Sequence, residues 1–143
     1  MNLKYILYAS HLKHSFGYEA LSALLEKSQH NNLKSGLTGF LHIEDDIVLQ
    51  YLEGPADTLA QAVERIERDQ RHDQFTVLAD GTISQRYFEG WQMALVESAT
   101  LSLFDLMGVE ARDIASVSHA NPMDLISLLS ANASFLRDRP SVA

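Results

Sequence analysis

Two helix-period stripes, each framed by short runs of β-prone residues, constrain the fold of this chain more than any other feature. "LKYILYAS" at residues 3–10 reads as a first strand, and "HLKHSFG" follows as a loop. From Tyr18 the period changes: Leu21, Leu24, Leu25 and Ser28 fall at i, i+3, i+4 and i+7, and Asn32 prolongs the stripe. "GLTGFLHI" is a second strand, and the acidic "EDD" turns into a third, "IVLQYLEGP". Gly54 and Pro55 close that strand and open a helix, with proline suited to the first helical position. Leu59, Ala62, Val63 and Ile66 form the stripe of this second helix. "FTVLAD" is a fourth strand, "GTISQR" a turn and rise, and "FEGWQMALV" a fifth strand. The order β-α-β-β-α-β-β implies an α+β, ferredoxin-like sheet with one extra strand and two helices on one face.

From about Thr100 the chain changes character. "LSLFDLMG" is a short helix that stops at Gly108. "NPMDLISLLSANASFL" has Asn121 as N-cap, Pro122 at the first helical position and an apolar face of Leu125, Ile126, Leu128 and Leu129. The expected division is a folded unit over 1–98 and a C-terminal helical extension over 99–143. These last helices can cover the second face of the sheet or bind a partner chain.

Composition excludes several function classes. At 143 residues and 46% hydrophobic, the chain is one globular domain with a real core. It has no cysteine, so thiolate metal sites and cysteine chemistry are out. The net charge of -8 with no basic cluster argues against direct nucleic-acid binding. No apolar run has the length of a membrane span, and the N-terminus lacks a signal-peptide core, which points to a cytoplasmic protein. The six histidines show no metal-like spacing, so no metal site is expected.

The informative residues are polar ones in apolar company. Gln50 lies on a strand face with Val48 and Leu52, where an unpartnered carboxamide costs a few kcal/mol. Tyr8 shares a face with Ile6, and Asn32 closes the inward stripe of the first helix. Each has an ordinary explanation: a tyrosine packing with its hydroxyl at the rim, an asparagine in a helix-ending turn. Together they converge on the space between the sheet and the first helix and suggest a planar, polar guest. Trp91 and Met93, two apart in the last strand segment, share one face. The "DQRH" stretch carrying Arg71 and His72 suits a helix end, where the dipole favours cations.

In order along the chain, "LYAS", "NNLKSGLTGFL", "LQYLEGP", "DQRH" and "FEGWQM" resemble the BLUF domain family, blue-light sensors that use a flavin. The resemblance runs from about Leu3 to Leu95. It implies FAD as cofactor, with FMN and riboflavin sharing the same ring. Tyr8 would donate an electron and then a proton to the photoexcited flavin, and Gln50 would bridge Tyr8 to N5 and O4 and reorient on illumination. Asn32 would hold the O4 and N3 edge, with Asn31 a further ring contact. Arg71 and His72 would face the pyrimidine end, and Trp91 or Met93 would stand near the glutamine.

A flavin pocket also needs aliphatic walls, which Leu24, Leu25 and Ser28 would help supply. A carboxamide has a donor and an acceptor end, so reversing Gln50 changes what it offers to O4 and gives a small red shift. The family often has an aromatic residue two before the glutamine and a glycine in the preceding turn; this chain has Val48 and "EDD". The expected function is a blue-light photoreceptor, not an enzyme, that signals to a separate protein and forms a homo-oligomer. The rivals are an acylphosphatase-type hydrolase of the same fold class and a protein-interaction module without chromophore.

Overall fold

The computed structural model describes residues 2–13, 18–91, 94–97, 103–108 and 113–137. The elements are β1 (Leu3–Leu12), α1 (Tyr18–Ser35), β2 (Thr38–Glu44), β3 (Ile47–Pro55), α2 (Ala56–Arg68), β4 (His72–Ile83), β5 (Ala94–Glu97), α3 (Leu103–Met107), α4 (Ile114–Ser118) and α5 (Pro122–Arg137). The sheet runs β4-β1-β3-β2-β5, antiparallel throughout except that β5 lies parallel to β2. This is the ferredoxin-like α+β arrangement with one added edge strand.

Strand β3 is central, and every residue from Ile47 to Gly54 is buried. Its side chains alternate between two cores. Val48 and Leu52 join Ile6, Leu12, Leu37, Leu41, Leu59 and Ala62 on the face covered by α1 and α2. Leu49 and Tyr51 join Leu7, Phe40, Phe88 and Trp91 on the other face. There Phe104 of α3, Ile114 and Val117 of α4, and Leu125, Ile126 and Leu129 of α5 complete the core. The C-terminal helices therefore cover the second sheet face, and Leu125, Ile126 and Leu129 of α5 are buried against the chain's own sheet. His42 and Glu44, both buried on β2, pair at 3.1 Å.

Several boundaries differ from the sequence expectations, each for a local reason. β1 runs on through His11 and Leu12, which pair with Asp73 and His72 of β4. β4 continues through "GTI" without a turn, because Gly81, Thr82 and Ile83 keep pairing with Tyr5, Lys4 and Leu3 of β1. Gly81 lies beneath the ring of Tyr5, where a Cβ would sit 3.3 Å from Cε1. Pro55 is not the first helical residue but the N-cap of α2 and the last residue of β3. The fifth strand starts at Ala94 rather than Phe88, since Gly90 at φ +85° turns the chain and Trp91 donates back to the Phe88 carbonyl at 3.1 Å. Met93 lies outside the described residues.

Other features match. Gly108 ends α3 in the left-handed region at φ +71°. Asn121 Oδ1 accepts from the Met123 and Asp124 amides at 2.8 and 3.3 Å, the N-cap of α5. Helix α4, capped by Asp113 through the Ser116 amide at 2.9 Å, has no counterpart in the sequence reading.

The tightest backbone approach is at Gly39 in β2, where a Cβ would fall 1.9 Å from the Tyr51 carbonyl oxygen. No side-chain motion relieves a clash with backbone. Gly39→Ala should therefore lower stability by roughly 2–4 kcal/mol, read as a drop in the urea midpoint at unchanged slope.

Candidate functional site

Between the sheet and helices α1 and α2 lies a cavity of about 310 Å³, at the lower end of the ordinary range for small-molecule sites. Its walls follow from the periods of the elements. Tyr8, Ser10 and Leu12 of β1, Leu41 and Ile43 of β2, and Val48, Gln50 and Leu52 of β3 form the floor at every second position. Leu24, Lys27, Ser28, Asn31 and Asn32 come from one face of α1. Ala62, Arg65 and Ile66 of α2, followed by Asp69, Arg71 and His72, close the other side.

The polar centre of the floor is set by strand register. Tyr8 is the direct antiparallel partner of Gln50 across β1 and β3, while Leu41 flanks Gln50 on β2. Tyr8 Oη donates a short hydrogen bond to Gln50 Oε1. The tyrosine ring is held from behind by Phe75 of β4, with centroids 4.8 Å apart. Burial pushes the Tyr8 phenol far above its ordinary range, and the charge of Asp69 adds to the shift. Tyr8 is thus a neutral donor at any ordinary pH, and Gln50 presents its amide oxygen to it.

At the far side, Arg71 grips Asp69. Its Nε lies 2.9 and 3.0 Å from the two carboxylate oxygens, its Nη2 makes a further short contact, and its backbone amide donates at 2.9 Å. The hydrogen bonds from the Arg71 side chain lower the Asp69 pKa to about 2, against a partial opposing effect of burial. Any stability from this pair is present above the ordinary aspartate pKa and is lost only as pH falls through about 2. His72 Nε2 donates to the Ile66 carbonyl at 2.6 Å, which ties the start of β4 to the end of α2.

Of the residues named from sequence, the cavity brings together Tyr8, Leu24, Ser28, Asn31, Asn32, Gln50, Arg71 and His72. The side chain of Leu25 lies outside the described residues. Trp91 is elsewhere: it is buried on the opposite sheet face, 5.0 Å from Phe88 between ring centroids, and does not line the cavity.

Sequence reasoning missed Ser10, Lys27, Arg65 and Asp69. The signal for Ser10 was available, since it stands two after Tyr8 on the same strand face. Ser10 is fully buried, and its Oγ is the one buried side-chain polar atom without a hydrogen-bond partner among the described residues. Native proteins seldom leave such a group unsatisfied unless a water or ligand completes it. A guest with a polar edge and an apolar body fits this cavity: amides, a hydroxyl and cations stand among aliphatic walls.

These features define a class, an α+β domain with a ligand-sized cavity over a buried tyrosine–glutamine pair. The family model described as BLUF, sensors of blue-light using FAD, matches residues 3–94, and the chain belongs to that family. It is a blue-light sensor domain of the flavin-binding type, and the cofactor of the family is FAD.

Among curated proteins it is 25% identical over 116 residues to the photoactivated adenylate cyclase subunit beta of Euglena gracilis. A subunit beta-like protein of the same organism is 26% identical over 116 residues. These alignments take in 78% of this chain and only 14% of each relative's length. Among solved structures, BlsA in its photo-activated state superposes with a TM-score of 0.75 at 26% identity, covering 93% of this chain and 95% of that one. The dark-state BLUF protein BlrB gives a TM-score of 0.76 at 24% identity over 94% of this chain and 98% of its own, a likeness of fold.

Ser10 offers a direct probe of the guest. In the flavin-free protein, Ser10→Ala removes an unsatisfied buried hydroxyl and should raise stability slightly. A guest that completes the Ser10 hydroxyl would lose one hydrogen bond on the same change, and its affinity should then fall by roughly fivefold. Titration calorimetry beside denaturant unfolding of the flavin-free form separates the two effects.

Proposed function

We infer that this chain is a photosensory switch whose working parts are Tyr8 and Gln50, and that it hands its signal to a separate effector. The observation that carries the reading is the buried Tyr8–Gln50 hydrogen bond at the floor of a cavity sized for a ring. Asn31, Asn32 and Ser10 would hold the polar edge of the ring, and Leu24, Ser28, Val48 and Leu52 would take its body. Arg71 and His72 would border the remaining side. The bound ring supplies the chromophore and, once excited, the electron-accepting power.

Tyr8 would give up an electron, and its phenolic proton lies on a hydrogen bond to Gln50 Oε1. Passage of that proton to the ring, which would take it up after the electron, would remove the donor that fixes the amide oxygen. Gln50 can then turn or tautomerise and offer its other end, which alters the hydrogen bonds at the ring edge. The assignment of Met93 to this chemistry stays a proposal of the family resemblance. Trp91 would act from the opposite sheet face, where it packs beneath the C-terminal helices.

The chain would not itself catalyse a reaction. In the Euglena gracilis relatives named above, the aligned segment is a small part of a photoactivated adenylate cyclase subunit. Here residues 1–98 would sense light and 99–143 would pass the change on. Because α3, α4 and α5 share one core with the sheet, a shift in β3 or β5 reaches them without a linker. Leu125, Ile126 and Leu129 of α5 are occupied by this packing, so a homo-oligomer would use other residues.

The test is an absorption spectrum in the dark and after blue light. Purified protein should be yellow and should shift reversibly to the red. Gln50→Leu should keep the flavin and lose the shift, and Tyr8→Phe should lose the normal photoreaction. A Tyr8→Phe protein with an unaltered light cycle would remove Tyr8 from the role of electron donor. Since burial keeps Tyr8 neutral, the amplitude of the shift should be flat from about pH 6 to about pH 9. An amplitude that falls across that interval would mean a different donor.

A further inference from the structure

The carboxylate of Glu53, three residues beyond Gln50, is fully buried on the sheet face opposite the cavity. Four donors meet it. Thr38 Oγ1 and the Phe88 amide bond to Oε2 at 2.9 and 2.7 Å, and Tyr51 Oη and the Tyr87 amide bond to Oε1 at 3.1 and 2.9 Å. A buried carboxylate is costly unless its oxygens are satisfied, and here each oxygen accepts two hydrogen bonds. The arrangement pins the 86–91 segment, which leads to β5, onto the end of β3. The Gly39 amide adds a second tie by donating to the Trp91 carbonyl at 2.7 Å.

Arg86 extends the same cluster toward helix α1. Its Nη1 donates to Thr38 Oγ1 at 3.1 Å and to the Glu53 carbonyl at 3.4 Å, and its Nη2 donates to the Gly36 carbonyl. Gly36, at φ +70°, is the left-handed residue that ends α1. The Leu37 amide reaches back 2.9 Å to the Asn32 carbonyl and closes the helix-ending motif. The guanidinium thus holds the turn that fixes the backbone of Asn32, while the Glu53 cluster it joins fixes the strand that carries Gln50.

We propose that Glu53 and Arg86 act as one positioning unit, which sets Asn32 of α1 against Gln50 of β3 and ties both to the segment before β5. The inference rests on the photosensory reading for its consequence, but not for its existence. Neither residue touches the cavity. Their effect is to hold two amides, on separate elements, at the spacing one ring edge requires. A stiff frame also resists the passage of Gln50 between its two orientations, because neighbouring groups cannot relax around a half-turned amide. Loosening the frame should let the light-adapted state return faster.

The experiment uses the full chain loaded with FAD, as wild type, Arg86→Met, Arg86→Lys, Glu53→Gln and the Arg86→Met/Glu53→Gln double variant. Amide exchange at Leu37, Tyr87 and Phe88 is measured in the dark, and recovery is timed after blue light. Arg86→Met should speed exchange at Leu37 by about tenfold, the scale of one lost hydrogen bond to a charged group. It should also speed recovery several-fold, with Arg86→Lys in between, since the single nitrogen of an ammonium cannot reach acceptors that Nη1 and Nη2 span together. Glu53→Gln should speed exchange at Leu37 as well as at Tyr87 and Phe88, and the double variant should be no faster than the quicker single one.

A purely structural role would lower the unfolding temperature and leave recovery unchanged, which would overturn the proposal. So would effects of the two single changes that multiply in the double variant, or a Glu53→Gln protein in which Leu37 keeps its wild-type exchange. If Arg86→Met does not fold, Arg86→Lys alone must show the smaller version of both effects or the proposal fails. A wild-type protein without any light-induced shift would instead remove the photosensory reading. Exchange at Leu37 in the Glu53→Gln protein would still decide whether the unit exists.

Discussion

The antiparallel pairing of β1 with β3 is the constraint on which the site depends. That register places Tyr8 directly opposite Gln50 on two paired strands. Both side chains then rise from the middle of a five-stranded sheet, flanked by Phe75 on β4 and Leu41 on β2. A phenol and a carboxamide so placed could not be left unbonded, because neither reaches solvent. Bonding to one another satisfies the phenol and the amide oxygen at the floor of the cavity.

The two faces of the sheet solve different problems. One is a dry aromatic core in which Tyr5, Phe40, Tyr51, Phe88 and Trp91 stack and cross in sequence. The other holds a cavity with a polar floor, and its helices stand back from the strands far enough to admit a guest. The charged pair of Asp69 and Arg71 closes one side of that space by bonding within itself. The buried Glu53 belongs to the dry side, where its four donors make a polar island inside an apolar layer.

Much of this was legible from residues alone because the strands and helices keep their periods. Tyr8, Gln50 and Asn32 were found as polar intrusions on apolar stripes, and the same rule could have caught Ser10. What period could not reveal was how the chain leaves a stripe. Gly81 reads as a turn, yet it lies inside a straight strand, close beneath the ring of Tyr5. Gly90 reads as part of a strand, and its positive φ instead sends Trp91 to the opposite face from the cavity. Helix α4 offers just Ile114 and Val117 to its core, too few to display a period. The partners of Glu53 are equally invisible in one dimension, since two of them are backbone amides more than thirty residues away.

That β3 is buried on both faces also limits how this family member can diverge. A single inserted or deleted residue between Ile47 and Glu53 would exchange the faces of every side chain beyond it. Gln50 would enter the aromatic layer, Tyr51 would project into the cavity, and Glu53 would lose its donors. Length changes are therefore confined to the turn before Ile47 or must come in twos. The segment can vary in chemistry, as Val48 does relative to the family habit, while its residue count stays fixed.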